Sequence, residues 1–313
     1  MQTLTTKASG YMHSLYAKSL AESGVPRALR RSKSWILERL IPGTLCYDGM
    51  GCYPLFTCQD WSQLHTDLED LRGDLVSLAV VTDPFGAYDV HQLEQCFRDV
   101  VIPFKEHFYA DLSLAVEDIA CPHHRRNARK ALALVRVERC WNPVEALDDW
   151  TELYGHLIRR HGITGIAAFS RAAFAKQLSV PGLVAFRALH ETTVVGMVLF
   201  YTQGDIGYYH LAAYSPLGYD LRASFAVCWR AIEYFASSGI RWLVLGAGPG
   251  LRASPSDGLS RFKKGWSTGT RTAYFCGRIF DYRLYAKLTA NSGAMRLDYF
   301  PAYRQGEWHD RQE

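Results

Sequence analysis

The 313-residue sequence has no apolar run long enough to cross a membrane. Stretches such as VVGMVLFY are among its longest, whereas a spanning helix needs roughly 20 apolar residues. The opening stretch MQTLTTKASGYMHSL is polar and lacks the apolar core of a signal peptide. The eight cysteines are scattered, and several lie in apolar segments. These features predict reduced cysteines and a cytoplasmic protein.

Several catalytic and metal-binding motifs are also missing. The sequence has no Walker loop, no Ser/His/Asp motif and no His-x-x-x-His pair. Cys46, Cys52 and Cys58 are spaced evenly, but structural zinc usually needs closer pairs, so we predict no metal. The glycine-rich LGAGPG resembles a dinucleotide loop only weakly, because no long helix follows Pro249.

The residues that are present predict a substantial core and an anionic partner. Hydrophobic residues make up 48% of the chain, which is enough for one large domain or two ordinary ones. The net charge is only +4, yet eight basic and two acidic residues lie between Leu251 and Lys287, and HHRRNARK at 123–130 contains no acid. Such clusters are either solvated faces or binding sites for phosphate, nucleotide, tRNA or a membrane surface.

The hydrophobic pattern predicts α/β structure in both halves. We expect a basic helical segment over the first forty residues, a strand at 52–58, and further strands and helices to about residue 120. The second half is predicted as a strand at 133–140, helices at 145–161 and 170–178, and strands at 182–189, 193–201 and 206–214. A helix at 221–238 and the strand RWLVL follow. Tight HETT and TQGD turns favour antiparallel pairing of the three consecutive strands.

This order predicts a ligand crevice in the second half. The strand at 206–214 and RWLVL are joined by a helix, so they should be parallel with a right-handed crossover. Their carboxyl ends then open onto SPLGYDLRAS at 215–224 and onto LGAGPG. A loop that enters a helix N-terminus presents backbone N–H groups to an anion. The glycines and lysines of LGAGPG and DGLSRFKKGW should border the same crevice.

Three segments in this region carry a resemblance to a known family. YYHLAAYSP, WRAIEYFASSGIRWLVLGAG and DGLSRFKKGWS together resemble the FemAB/FemX-like (peptidoglycan bridge-type) branch of the GNAT acyltransferase superfamily, and HHRRNARKA resembles the basic segment that opens its second domain. The resemblance implies two GNAT-like α/β (α+β) domains in tandem, with a mixed central sheet and splayed parallel strands. We expect residues 1–118, with a helical extension, and residues 119–313 to form these domains.

The same resemblance implies an acyltransferase that moves an acyl or aminoacyl group to an amine. The donor could be aminoacyl-tRNA, acyl-CoA or acyl-carrier protein, and the acceptor an amino acid, peptide or cell-wall precursor. No tightly bound cofactor is expected. The 215–224 loop lacks the Gln/Arg-x-x-Gly-x-Gly/Ala signature of acetyl-CoA-using relatives, which favours aminoacyl-tRNA. The sequence has no sustained heptad repeat, so we expect no coiled-coil arm of the kind that FemA and FemB carry.

Candidate site residues follow from the resemblance and from the crevice. Lys263 matches the Phe-Lys position of the family and would stabilise an oxyanion, and His210 could accept a proton. The donor would contact Gly218, Arg222, Ser224, Gly246, Gly248 and Arg261, whereas Arg125, Arg126, Arg129 and Tyr209 would bind phosphate or the acceptor.

Each assignment has a structural alternative. Lys263 could be a surface lysine, His210 a core histidine, and the arginines a solvated helix face. A non-catalytic tRNA- or membrane-surface-binding protein on the same scaffold is therefore the alternative function. Both functions predict basic patches, but only the enzyme requires a crevice lined by Lys263, His210 and the two loops.

Overall fold

The chain forms two compact units. The computed structural model describes residues 8–250, 257–292 and 299–307. Unit 1 comprises residues 1–15 and 106–271, and unit 2 comprises residues 16–105 and 272–313. This grouping by contacts differs from the division at residues 118 and 119, which stays a prediction about domains. Within the described ranges, no helix combines the length and apolar character needed to cross a membrane.

Both units contain helices. They are α1 (Ser14–Ser19), α2 (Leu64–Glu69), α3 (Val90–Cys96), α4 (Val116–Ile119), α5 (Pro122–Leu132), α6 (Leu147–His161), α7 (Arg171–Gln177), α8 (Pro216–Asp220), α9 (Ala223–Ser237), α10 (Gly258–Lys264) and α11 (Tyr282–Asn291). The predicted helices in the second half are confirmed. For example, α6 ends at Gly162, whose left-handed φ of 53° suits a glycine C-terminal cap.

Both units contain β-strands. They are β1 (Val25–Leu29), β2 (Ser34–Leu40), β3 (Tyr47–Gly51), β4 (Leu75–Val81), β5 (Val100–Asp111), β6 (Arg136–Cys140), β7 (Leu183–His190), β8 (Thr193–Gln203), β9 (Ile206–Tyr214), β10 (Trp242–Gly246) and β11 (Gly269–Ile279). The unit division falls within β5 and within β11.

The sheet of unit 2 corrects two sequence predictions. Residues 25–40 form the β1–β2 hairpin rather than a helix, and β2 also pairs with β3. Ile36 and Leu37 are fully buried, so packing on both neighbours of β2 overrides the helical pattern. The predicted strand at 52–58 forms only isolated bridges, at Phe56 and Cys58. Pro54 contributes to this outcome because proline has no N–H to donate.

The sheet of unit 1 confirms the predicted topology. Strands β6, β7, β8 and β9 pair antiparallel in sequence order. Strand β9 then pairs parallel with β10, and α9 connects them. Strand β10 is completed on its other side by residues 108–111 of β5, which run antiparallel to it.

The strands of the two units repeat one layout, as expected for tandem domains. In unit 2, the antiparallel series β1, β2, β3 is followed by the parallel pair β3–β4, and β11 pairs antiparallel with β4. In unit 1, β7, β8, β9, β10 and β5 have the same order and the same directions. The last strand of each series, β11 in unit 2 and β5 in unit 1, is distant in sequence from the other four strands of that series.

Candidate functional site

The strands β9 and β10 diverge at their carboxyl ends. Pairing runs from Trp242 opposite Ile206 to Val244 opposite Tyr208, whereas β9 continues through residues 209–214. On the other side of β10, the register with β5 shifts between Val244 and Gly246. Such a bulge bends a strand and re-aims its end. A parallel pair that separates in this way leaves an opening between the strands, where backbone groups have no strand partner.

Two glycines let α10 pack against the end of β10. A Cβ on Gly248 would lie 2.3 Å from the Ser260 Oγ, and a Cβ on Gly246 would lie 3.1 Å from the Lys263 Nζ. Gly246 also has a φ of 80°, which favours glycine. Asp257 starts α10 as its N-cap, because its side chain accepts a hydrogen bond from the Ser260 N–H. The two glycines and Lys263 thus belong to one contact.

Lys263 is held at the carboxyl end of β10. Its half-buried side chain donates a hydrogen bond of 2.7 Å to the Ala247 carbonyl. The positive charge of Lys263 lowers the pKa of the Cys228 thiol on α9. Burial of that thiol has the larger effect and raises its pKa to about 12. The neighbouring Lys264 is exposed, as is Arg261 on the same short helix. The ammonium of Lys263 is therefore the cation of α10 that lies between β10 and α9.

Tyr209 lies on β9, directly after the last residue of that strand that pairs with β10. Its ring packs against Phe200, which in turn contacts Phe235 of α9. Burial raises the pKa of Tyr209 well above its ordinary value, and the same holds for Tyr214. The hydroxyls of Tyr209 and Tyr214 also interact with each other, and the nearby Cys228 contributes to the raised pKa of both. Tyr209 is thus a neutral hydrogen-bonding group near the divergence of β9 and β10 at physiological pH.

The 215–224 segment is more ordered than a glycine loop. Residues 216–220 form α8, and Ser215 caps it by accepting from the Gly218 N–H. A Cβ on Gly218 would lie 2.0 Å from the Val195 carbonyl oxygen, so this glycine is needed for packing against β8. Its predicted contact with a donor stays a prediction. Ser224 lies half-buried in the first turn of α9.

Arg222 connects two of the predicted basic segments. It precedes α9 in a left-handed conformation with a φ of 56°. Its guanidinium donates to the side-chain oxygen of Asn127, which is buried on α5. Since α5 packs against α9, the structure brings HHRRNARK beside the start of α9. Arg126 and Arg129 are exposed on α5, whereas Arg125 donates to the Glu117 carbonyl.

The helix α5 also contacts α10 through His124. The His124 Nε2 lies 2.9 Å from the Phe262 carbonyl oxygen, and the Cys121 N–H donates to the Gly265 carbonyl. The sequence analysis did not single out Cys121 or His124. Their spacing of three residues, which brings side chains together at a helix start, was the available signal.

His210 lies on the opposite face of β9 from Tyr209. Its Nδ1 accepts from the Tyr11 hydroxyl at 3.2 Å, and its Nε2 donates to the Gln177 side chain at 3.3 Å. The side chain is only 7% exposed, and burial lowers its pKa to about 3. The structure does not bring His210 beside Lys263. A buried imidazole of this kind is a weak base, so its predicted proton-accepting role has no support from its position.

Two further sequence predictions concern charge and metal. Arg252 is one of the eight basic residues between Leu251 and Lys287 and lies outside the described residues. Arg278 from the same stretch belongs to unit 2, where it is buried and paired with Glu69. In the described part of the chain, no three His, Cys, Asp or Glu side chains are grouped as a metal site would require.

Comparison with known proteins shows which fold this arrangement of strands and helices resembles. Residues 123–264 match a family model described as an acetyltransferase (GNAT) domain, and this segment contains β9, α9, β10 and α10. The chain has a FemX-like GNAT fold. The match shows that this segment is similar to a GNAT acetyltransferase domain, as the motifs predicted. No curated protein matches the chain.

Solved structures extend the likeness to most of the chain. The crystal structure of FemX is similar with a TM-score of 0.65 and 14% identity, covering 88% of this chain and 93% of that one. The C-terminal domain of a putative lysylphosphatidylglycerol synthetase from Agrobacterium fabrum gives 0.59 and 11%, with coverages of 88% and 91%. L-PGS from Bacillus licheniformis gives 0.56 and 13%, with coverages of 87% and 94%. At these identities the comparisons establish the fold.

Proposed function

We propose that unit 1 transfers an acyl or aminoacyl group from a phosphate-bearing carrier to an amine. The observation that carries this proposal is the position of Lys263, at the carboxyl end of β10 where β9 and β10 diverge. The GNAT fold supports acyl transfer in general. A neighbour named as a lysylphosphatidylglycerol synthetase supports an aminoacyl group in particular.

The carrier is proposed to bind between the start of α9 and two described segments, residues 246–250 and residues 257–264. The first turn of this 15-residue helix presents backbone N–H groups and the positive end of the helix dipole. Arg222 is fixed there by Asn127, and Arg126 and Arg129 are exposed on the adjacent α5. These cations suit the phosphates of acyl-CoA, acyl-carrier protein or aminoacyl-tRNA. Gly246 and Gly248 keep side chains away from the opposite wall.

In the proposed reaction, the amine attacks the acyl carbonyl carbon directly. The bond from that carbon to the carrier then breaks, and the carrier leaves as a thiol or hydroxyl that takes up the proton lost by the amine. Negative charge develops on the carbonyl oxygen, and the Lys263 ammonium stabilises it. The hydrogen bond to Ala247 holds the ammonium before the substrate arrives, so little reorganisation is needed. Tyr209 is proposed to orient the acyl group through its hydroxyl. No covalent enzyme intermediate is required for this transfer.

Lys263→Met and Lys264→Met form a matched pair that tests this role. Both remove one charge from α10, but Lys263 is half-buried at the strand end and Lys264 is exposed. Loss of a donor to an oxyanion costs roughly 10²–10³ in kcat, or about 3 kcal/mol. We expect this loss for Lys263→Met and less than a twofold change for Lys264→Met.

The assay follows transfer of a radiolabelled acyl group to a pool of amino acids and short peptides. Acetyl-CoA and mixed charged tRNA serve as donors in separate arms, and circular dichroism checks the fold of both variants. Equal turnover of the two variants would remove Lys263 from the mechanism. Tight donor binding without any transfer would instead favour the non-catalytic binding protein.

A further inference from the structure

Cys121 and His124 form a thiol–imidazole pair at the start of α5. The Cys121 Sγ lies 3.0 Å from the His124 Nδ1. The other ring nitrogen, Nε2, lies 2.9 Å from the Phe262 carbonyl, which can only accept. The Nε2 therefore carries the proton, and the Nδ1 offers its lone pair to the thiol. A nucleophile, a base and a group that orients the base are thus in contact.

Packing fixes the imidazole in this orientation. The His124 ring contacts Phe225, Phe262 and Trp266 at centroid distances of 5.0–5.5 Å. A Cβ on Gly265 would lie 2.1 Å from the ring, so only glycine leaves room for it. Burial lowers the pKa of His124, with the Phe262 carbonyl opposing this effect. The imidazole is therefore a neutral base at physiological pH.

The surroundings of Cys121 distinguish it from the other cysteines. Burial raises the pKa of six of them: Cys52, Cys58, Cys96, Cys140, Cys228 and Cys276. Cys121 is half-buried and is the N-cap residue of the 11-residue helix α5, so its sulfur lies at the positive end of the helix dipole. The first turn of α5 contains no acidic residue, and Arg125 and Arg126 follow directly.

We propose that Cys121, with His124 as its base, is a nucleophilic site that accepts an acyl group from the thioester of an anionic carrier. The thiol proton moves to the His124 Nδ1, and the sulfur forms a bond to the acyl carbon. The bond from that carbon to the carrier sulfur breaks, and the carrier leaves as a thiol after taking the proton from His124. One thioester replaces another, so no oxidant or reductant is needed. This self-acylation is separate from the proposed transfer to an amine.

The test measures which cysteine reacts. Wild-type protein is treated first with limiting iodoacetamide and then, in a separate sample, with acetyl-CoA without an amine, and modified peptides are identified by mass spectrometry. Cys46 is the internal control, because it is also half-buried. We expect Cys121 to react with iodoacetamide at least about tenfold faster than Cys46 and to carry a hydroxylamine-labile acetyl group.

Variants assign the cause. Cys121→Ser should abolish the acetylation, and His124→Gln should slow both reactions at Cys121 about tenfold. Gly265→Ala, which displaces the ring without removing it, should also slow them. His161→Gln, at an exposed histidine of α6, should leave them unchanged and is the matched control for His124→Gln. The proposal is overturned if Cys121 reacts no faster than Cys46, if it is alkylated but not acetylated, or if neither His124→Gln nor Gly265→Ala slows it.

Discussion

At the residue scale, the surroundings of a side chain decide its chemistry. His210 and His124 are both largely buried in unit 1, yet their environments differ. The two ring nitrogens of His210 are satisfied by Tyr11 and Gln177, which makes it a structural histidine. His124 instead faces a thiol at the edge of α5. The sequence alone does not show which side chains surround either histidine.

The burial of His210 predicts a pH-dependent stability. Its pKa is about 3 in the folded protein, against about 6.5 when exposed in the unfolded chain. As the pH falls below about 6.5, the unfolded state binds a proton that the folded state does not. The free energy of unfolding should therefore decrease from pH 6.5 toward pH 3 and be unaffected by this group at higher pH.

His210→Gln should remove part of that pH dependence, although it also lowers stability at pH 7. Urea unfolding between pH 7 and pH 4.5 measures the slope, with His161→Gln as the control because His161 is exposed. A His210→Gln slope equal to that of the wild type would show that the histidine is not held neutral in the core.

At the element scale, close contacts between elements explain two glycines that the sequence analysis placed beside the crevice. Gly218 allows α8 to approach the Val195 carbonyl, and Gly265 allows α10 to approach His124. The order β9, α9, β10 was predictable because hydrophobic periodicity and turn residues are local signals. The partner of each glycine was not, because it lies on an element that is distant in sequence.

Gly218→Ala should destabilise the protein by roughly 1–3 kcal/mol through overpacking, since the added Cβ meets a backbone oxygen that cannot move alone. Gly258→Ala is the matched control. It lies at the start of α10, and nothing lies within 4 Å of the added Cβ. We expect its change to be within about 0.5 kcal/mol. Thermal unfolding compares the two. An unchanged Tm for Gly218→Ala would mean that the glycine is kept for something other than packing.

At the scale of the whole molecule, the tandem layout was predictable but its strand membership was not. Both halves show the alternation of strands and helices in their hydrophobic pattern. However, residues 108–111 complete the sheet of unit 1, and residues 275–279 complete that of unit 2. A sequence pattern identifies a strand without naming its neighbour, so the distant strand that completes the sheet of each unit could not be predicted. The β1–β2 hairpin was not predicted because burial of Ile36 and Leu37 overrides the helical pattern of that segment.

The charge of the whole molecule bears on the choice of carrier. A net charge of +4 is modest for a tRNA-binding protein, so binding must depend on local clusters. The structure places one such cluster at the start of α9 and on α5. Binding of tRNA through these cations should weaken steeply with salt, whereas CoA held by backbone amides should respond less.

Donor binding to the full-length protein tests the central claim most directly. Charged tRNA and acyl-CoA are titrated by fluorescence at about 50 mM and about 200 mM salt, a range over which phosphate contacts weaken strongly. Arg222→Glu is compared with Arg230→Glu, which makes the same charge change on an exposed position of α9. We predict that at least one donor binds and that Arg222→Glu weakens it at least about tenfold, whereas Arg230→Glu has little effect. If neither donor binds, or if both variants behave alike, the start of α9 is not a donor site.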